Sequence, residues 1–356
     1  MSRYLLIFLF ILSACETVDT APDVRRYKIE KIPGLSSAGS GLTYLPVETT
    51  SKFTHHFLTV SDGGNEPAIL EIKAQRDIAQ VVRYVPLKVH SKFDLEGITI
   101  AEDGSIWLAN EEGPALIKFD LKTKKIGEVL VAGQKLPSVL KEMQASRGLE
   151  SITSFNNKVY AAMQSSLSID GATDKALFIR ILEYDRSSER IRTFAYPIDE
   201  FPDSQRSEIQ ITDMAALDEG RLLVIESAPE LGDRLVEISL KEASDITGIL
   251  VDGGQLEEIL DPVKIFGKPV SKENQIIEPL KKRFIFNLKE VGWPDGSAQG
   301  LAILPDFQTV ALAAQESDGA KLWLVRLPEP LIKEKSNLIW WLLGGLAVLL
   351  YFRIKK

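Results

Sequence analysis

The chain has 356 residues, 45% of them hydrophobic and 26% charged, and carries a formal net charge of −8. That apolar content is enough to bury a real core and excludes disorder, while a pI near 5.2 excludes a nucleic-acid surface, which needs clustered Lys and Arg. The three histidines, His55, His56 and His90, lie in one early region and the one cysteine is Cys15, so a distributed Ser–His triad, a disulfide and a CxxC zinc site are all excluded.

The first fourteen residues read as a leader. Met1-Ser2-Arg3 is a basic start, Tyr4 to Leu12 is an apolar run too short to span a bilayer, and Leu12-Ser13-Ala14-Cys15 places small residues before the cysteine. This end resembles a bacterial lipobox, and the resemblance implies cleavage before Cys15 and acylation of that residue. The plainer alternative is an ordinary signal peptide with an incidental cysteine, and both readings export the chain. Residues 15–26 then form a linker, and Tyr27 to Ile32 (YKIEKI) is a lone strand ahead of everything that repeats.

The repeating unit is clearest between Asp94 and Val131. Ile98 to Ala101, Ser105 to Ala109, Ala115 to Phe119 and Ile126 to Val131 are short β-rich runs, with Asp103-Gly104 and Gly113-Pro114 supplying turns between them. Four such strands in a meander make one propeller blade. The opening Leu95-Glu96-Gly97-Ile98-Thr99 recurs as Leu149-Glu150-Ser151-Ile152-Thr153, and weaker copies start at Ser40, Asp213 and Gln299. The spacings of 56, 54, 63 and 86 residues predict five blades with long loops and leave room in the last gap for a sixth.

Strands are predicted over Lys158 to Met163, Phe178 to Tyr184, Ile191 to Tyr196, Arg221 to Ile225, Leu235 to Leu240, Lys282 to Leu288, Val310 to Ala314 and Leu322 to Leu327; residues 257–278 fit no element. The whole is an all-β propeller domain over residues 27–330, closed by the N-terminal strand, which completes the last blade and removes an exposed edge. After a short linker, 331–337, the run Leu338 to Phe352 carries no charge and is followed by Arg353, Lys355 and Lys356. Extended to residue 354, it is long enough for a transmembrane helix with Trp340, Trp341 and Tyr351 at the interfaces. The terminal cations place that end in the cytoplasm and the propeller outside, on the extracytoplasmic side of the cytoplasmic membrane. A removable sorting signal beginning at Pro328-Glu329-Pro330 is the weaker reading of the same stretch.

Asp94-Leu95-Glu96-Gly97-Ile98, Trp107 after the Asp103-Gly104 turn, Asn110-Glu111-Glu112-Gly113-Pro114, Arg147-Gly148-Leu149-Glu150, Gln164-Ser165-Ser166-Leu167, Glu183-Tyr184-Asp185 and Leu223-Val224-Ile225-Glu226 follow one another in an order that resembles the phytase-like family, described by its esterase-like activity of phytase. The resemblance spans about residues 32–327 and implies an exported bacterial β-propeller with hydrolase activity. Gln299, Ser227 and Asn110 depart from its usual pattern, which has Glu, Arg and Asp there.

In a propeller the first strand of each blade lines the central channel, so the repeated position gathers Glu96, Glu150 and Asp213 around one axis. Facing carboxylates raise one another's pKa, and a cation relieves them; oxygen donors suit Ca²⁺ above softer metals. The expected metal ligands are Glu96, Glu150, Asp213 and Glu226, the catalytic groups Glu96, Glu150 and Arg147, and the binders of a small anionic substrate Arg147, Gln164 and Glu111. Each acidic residue has a structural alternative, as a cap on strand ends, and Trp107 is expected to be core packing. Two functions follow: a metal-assisted hydrolase of phosphoesters or esters, and a membrane-tethered propeller that binds a ligand or a protein without catalysis. Ser40 and Gln299, which replace acidic residues, favour the second.

Overall fold

In the computed structural model, residues 22–332 are described except for 31–38, 48–52, 62–66, 77, 88–92, 171–177, 199–202, 207, 229, 248–277, 295–297 and 317–318. The described chain folds into five antiparallel sheets of four strands each. The first blade is β2 (Ser40–Leu45), β3 (Thr54–Ser61), β4 (Ala68–Gln75) and β5 (Ile78–Pro86). The second is β6 (Leu95–Ile100), β7 (Ile106–Asn110), β8 (Ala115–Asp120) and β9 (Lys125–Val131), and the third is β10 (Leu149–Phe155), β11 (Lys158–Met163), β12 (Phe178–Asp185) and β13 (Arg190–Pro197). The fourth is β14 (Gln210–Asp218), β15 (Arg221–Ala228), β16 (Gly232–Ser239) and β17 (Lys281–Asn287). The fifth joins β18 (Gly300–Ile303), β19 (Thr309–Glu316) and β20 (Gly319–Arg326) to β1 (Asp23–Glu30), the strand from the other end of the chain.

Burial explains which runs are easy to read. The second strand of a blade is sandwiched between neighbouring blades, so Ile106-Trp107-Leu108-Ala109-Asn110 is buried throughout and reads as a continuous apolar run. Outer strands such as β5 meet solvent and alternate. Apolar clusters fill the gaps between successive blades: Leu58, Leu95 and Leu108 between the first and second, Trp107, Tyr160 and Met214 from the second to the fourth, Leu223, Leu301 and Trp323 between the fourth and fifth, and Tyr27, Phe57 and Leu322 between the fifth and first. Trp107 is core packing, its ring 5.8 Å from that of Tyr184.

The five blades are those the repeat predicts, and of the unplaced region, 257–278, all but Glu278 lies outside the described residues. Two expectations shift. The closing strand runs Asp23–Glu30 rather than Tyr27 to Ile32, because its start Asp23-Val24-Arg25-Arg26 has no apolar run to advertise it and is fixed instead by its pairing, Asp23 with Arg326 through Glu30 with Gly319. The inner strands also begin with a shift of register: Gly41, Glu96, Glu150 and Thr212 are each skipped in the pairing of β2, β6, β10 and β14 with the next strand. Such a bulge re-aims the residues around it. Asp213 therefore sits one residue past the position that Glu96 and Glu150 share.

All five inner strands run the same way along the axis, so the ring has two unlike ends. The upper mouth is where the inner strands begin; the lower face carries their hairpin turns. Close approach at the axis demands glycine, since a Cβ on Gly97 would stand 2.9 Å from the Ile152 nitrogen and one on Gly41 2.8 Å from the Gly97 Cα.

Candidate functional site

The carboxylates gather at the upper mouth, in the second and third blades. Asp94 precedes β6, and its N–H donates to Asn110 Oδ1 at 2.9 Å while its carbonyl accepts from the Glu111 N–H at 2.8 Å. These bonds extend the β6–β7 ladder past its last strand pair and bring Asp94, Glu96 and Glu111 together, one oxygen from each within 4.8 Å of the others. Asn110 does two jobs here that an Asp could not, since its amide also donates to the Glu112 carbonyl.

The third blade completes the group. Gly148 packs so closely on Glu111 that a Cβ would lie 2.2 Å from the Glu111 carbonyl oxygen, and the Gly148 N–H donates to the Glu111 carboxylate. Glu150 is buried at 4% exposure and accepts a hydrogen bond from the Gln164 side chain. Ser151, next along β10, has a buried Oγ with no hydrogen-bond partner. Arg147 is half-buried on the turn that leads into β10, at the same mouth.

Electrostatics follow from this crowding. Burial, then Glu96 and Glu111, push the Glu150 carboxyl well above the usual glutamate range. Burial and then the Asp94 charge raise Glu111 as well, against the opposing Gly148 N–H. Two groups with raised affinity for a proton beside two further carboxylates form a site that holds protons, a cation, or both.

The other two expected ligands are engaged elsewhere. Asp213 Oδ2 accepts the N–H groups of Leu301 at 2.6 Å and Leu42 at 3.1 Å, and Oδ1 accepts that of Met214 at 2.8 Å. It thus ties the fourth blade to the fifth and the first across the axis, and burial raises its pKa well above the aspartate range against these three donors. Glu226 closes an ion cluster between the third and fourth blades. Its carboxylate accepts from Arg234 Nε at 2.9 Å, Lys282 Nζ at 2.7 Å and Tyr196 OH at 2.6 Å. Burial pushes its pKa up, but Lys282 and Arg234 outweigh burial and hold it below the usual value.

The structure therefore assembles Glu96, Glu111, Glu150 and Gln164 as one group, with Arg147 at its edge, and adds Asp94, which the repeat alone does not single out. The available signal is the Asp94-Leu95-Glu96 spacing, two residues apart on an extended chain and hence facing one way. The bulge at Glu96 hides it by breaking that alternation.

At the lower face the ends of the inner strands surround a cavity of about 590 Å³. Tyr44, Ile100, Phe155, Leu217, Ile303 and Phe307 are among its walls, and hydroxyls there bond to neighbouring blades, as Ser154 does to the Ile100 carbonyl and Thr153 to the Ala216 N–H. No helix among the described residues is long and apolar enough to cross a membrane; the expected span at 338–354, and Cys15, lie outside them.

A family model described as phytase-like, esterase-like activity of phytase, matches residues 37–325. No curated protein matches the sequence. Similar solved structures include an alpha-L-arabinofuranosidase from Podospora anserina, with 11% identity, 87% of this chain and 98% of that chain covered, and a TM-score of 0.46. Another is the catalytic domain of an alpha-L-arabinofuranosidase from Coprinopsis cinerea, at 8% identity, 86% and 98% coverage and a TM-score of 0.45. The glutaminyl cyclase of Myxococcus xanthus aligns at 11% identity over 85% of this chain and 98% of its own, with a TM-score of 0.41.

Proposed function

The chain belongs to the phytase-like family, and from that premise we propose that it is a metal-assisted hydrolase of phosphoesters or carboxylic esters, tethered to the outer side of the cytoplasmic membrane. The observation that carries the reading is the meeting of Asp94, Glu96 and Glu111 within 4.8 Å at one mouth of the propeller, beside buried Glu150. Carboxylates this close are costly unless protonated or neutralised, and an all-oxygen donor set fits a hard divalent cation, with Ca²⁺ the best match. Asp94, Glu96 and Glu111 would hold it. Such an ion polarises an ester oxygen and acidifies a bound water.

The chain's own groups have separable tasks. Glu150, whose affinity for a proton is raised by burial and its neighbours, would supply a proton to a departing alkoxide, and Gln164 fixes its orientation. Arg147 offers a guanidinium suited to a phosphate or carboxylate on the substrate. The tether rests on the sequence alone, through Cys15 and residues 338–354.

Metal analysis of the purified protein, followed by phosphate-monoester and carboxylic-ester assays with and without chelator, tests the proposal. Glu96→Gln and Glu111→Gln should each weaken cation affinity by about tenfold or more while leaving the metal-free fold intact. Stoichiometric metal that neither variant disturbs would sink the assignment. The non-catalytic alternative predicts bound ligand without turnover in every assay.

A further inference from the structure

The ends of the described chain leave the propeller from the same place. Strand β1 starts at Asp23, opposite Arg326 at the end of β20, so both termini lie at the lower face, the end opposite the carboxylates. Pro22 and Ile332, the first and last described residues, line one cleft there. The Leu331 N–H donates to the Phe307 carbonyl at 2.7 Å, which brings the departing chain to the rim of the apolar cavity.

The same face is where unexplained apolar side chains gather. Val47, Phe53, Ile78 and Phe307 are exposed, and each sits in or beside a hairpin turn of the lower face; of the other exposed large apolar side chains among the described residues, Val82, Tyr84 and Phe284 lie along the outer strands β5 and β17, Tyr84 towards the upper end, and Leu231 at the upper β15–β16 turn. Phe307 stands out further. Its φ of 49° is left-handed, a conformation that costs a bulky residue free energy and that turns usually give to Gly or Asn. Six other described non-glycine residues, Arg76 and Lys124 among them, share this conformation, so what sets Phe307 apart is the aromatic ring that its turn presents at the cavity rim. The Arg25 guanidinium lies 5.7 Å over the Phe53 ring, a pairing of cation and aromatic suited to the boundary between lipid headgroups and acyl chains.

We propose that the lower face of the propeller rests on the bilayer, held by a tether at each end of the chain, so that Val47, Phe53, Ile78 and Phe307 touch lipid and the apolar cavity opens towards it. The inference rests on reading Cys15 and residues 338–354 as anchors. Pro22 is seven steps along the chain from Cys15 and Leu338 is six steps from Ile332, which allows each tether a reach of about 20–25 Å at full extension. Tethers this short, both leaving one face, cannot let the propeller turn over. The carboxylate mouth then points away from the membrane, about 20 Å further out along the inner strands, and meets water-soluble substrate.

The full chain, purified from membranes and reconstituted into phosphatidylcholine vesicles, provides the test. Phe53→Cys, Phe307→Cys and Glu230→Cys carry an environment-sensitive fluorophore, with nitroxide-bearing lipid as quencher; Glu230 is exposed next to the upper β15–β16 turn. Labels at 53 and 307 should be quenched about threefold or more above the label at 230. Quenching that is equal at the three sites, or greatest at 230, overturns the orientation even if the vesicles carry the protein. Wild type should take up no label, because the sulfur of a lipidated Cys15 is alkylated by a diacylglyceryl group as a thioether; uptake at Cys15, or failure of the chain to float with the vesicles, removes the tethers and the inference with them. Metal content and hydrolysis, measured on the same samples, report on the carboxylate mouth separately.

Discussion

Asp213 and Glu150 are both buried carboxyls near the axis, and their partners give them opposite consequences. Asp213 accepts three backbone N–H groups from three blades. Asp213→Asn keeps the shape but turns one acceptor into a donor facing an N–H, so it should lower stability by about 1–3 kcal/mol while cation affinity changes little; denaturant melts with chelator present read this directly. Glu150 faces acidic neighbours, and its pKa in the fold is raised from an ordinary 4.5. A proton is therefore held more tightly in the folded state than in the unfolded one, and this contribution is complete below about pH 4.5 and lost as pH rises through the raised value. Glu150→Gln should match wild type in acid and become the more stable of the two towards neutral pH, in melts with chelator; a constant difference across that range would refute the raised pKa. The repeat exposed Glu96 and Glu150 because both occupy the skipped position of a bulge. It misassigned Asp213 because the same bulge falls on Thr212, and sequence spacing does not reveal a one-residue slip.

Strand β1 shows how an element can be essential and still nearly silent in the sequence. Its partner β20 sets its register, and it buries Tyr27 and Ile29 against the first and fifth blades. A chain that starts at Gly34 loses both side chains, worth about 1.5–3 kcal/mol each, and bares the β20 edge to other chains. It should melt well below a chain lacking only residues 1–21 and should aggregate on warming; equal melting temperatures of the two would argue against a closed ring. The inner hairpins, by contrast, were legible as elements because Asp103-Gly104 and the buried run Ile106 to Asn110 announce themselves locally. What the sequence hides is how β6 meets β10, and that is the contact that joins Glu111 to Gly148 and makes the site.

At the scale of the molecule, the blade count was legible, because the five repeat openings mark the five inner strands. The 86 residues between Asp213 and Gln299, which left room for a sixth blade, hold one four-stranded sheet among the described residues. The unlike ends of the ring, polar above and apolar below, were invisible, because they depend on every inner strand running in the same direction.

Closure by β1 also has a consequence in time. On the proposed export route the chain would emerge from its N-terminus, yet its first strand has no partner until β20, its last, has followed it across. The fifth blade cannot form while the chain is still being threaded, and the most non-local pairing in the molecule comes at the end of folding, which slows the approach to the native state. A nascent chain stalled before Leu322 carries two unpaired edges, β1 and β19, and is the form most exposed to proteolysis and to pairing with its own kind.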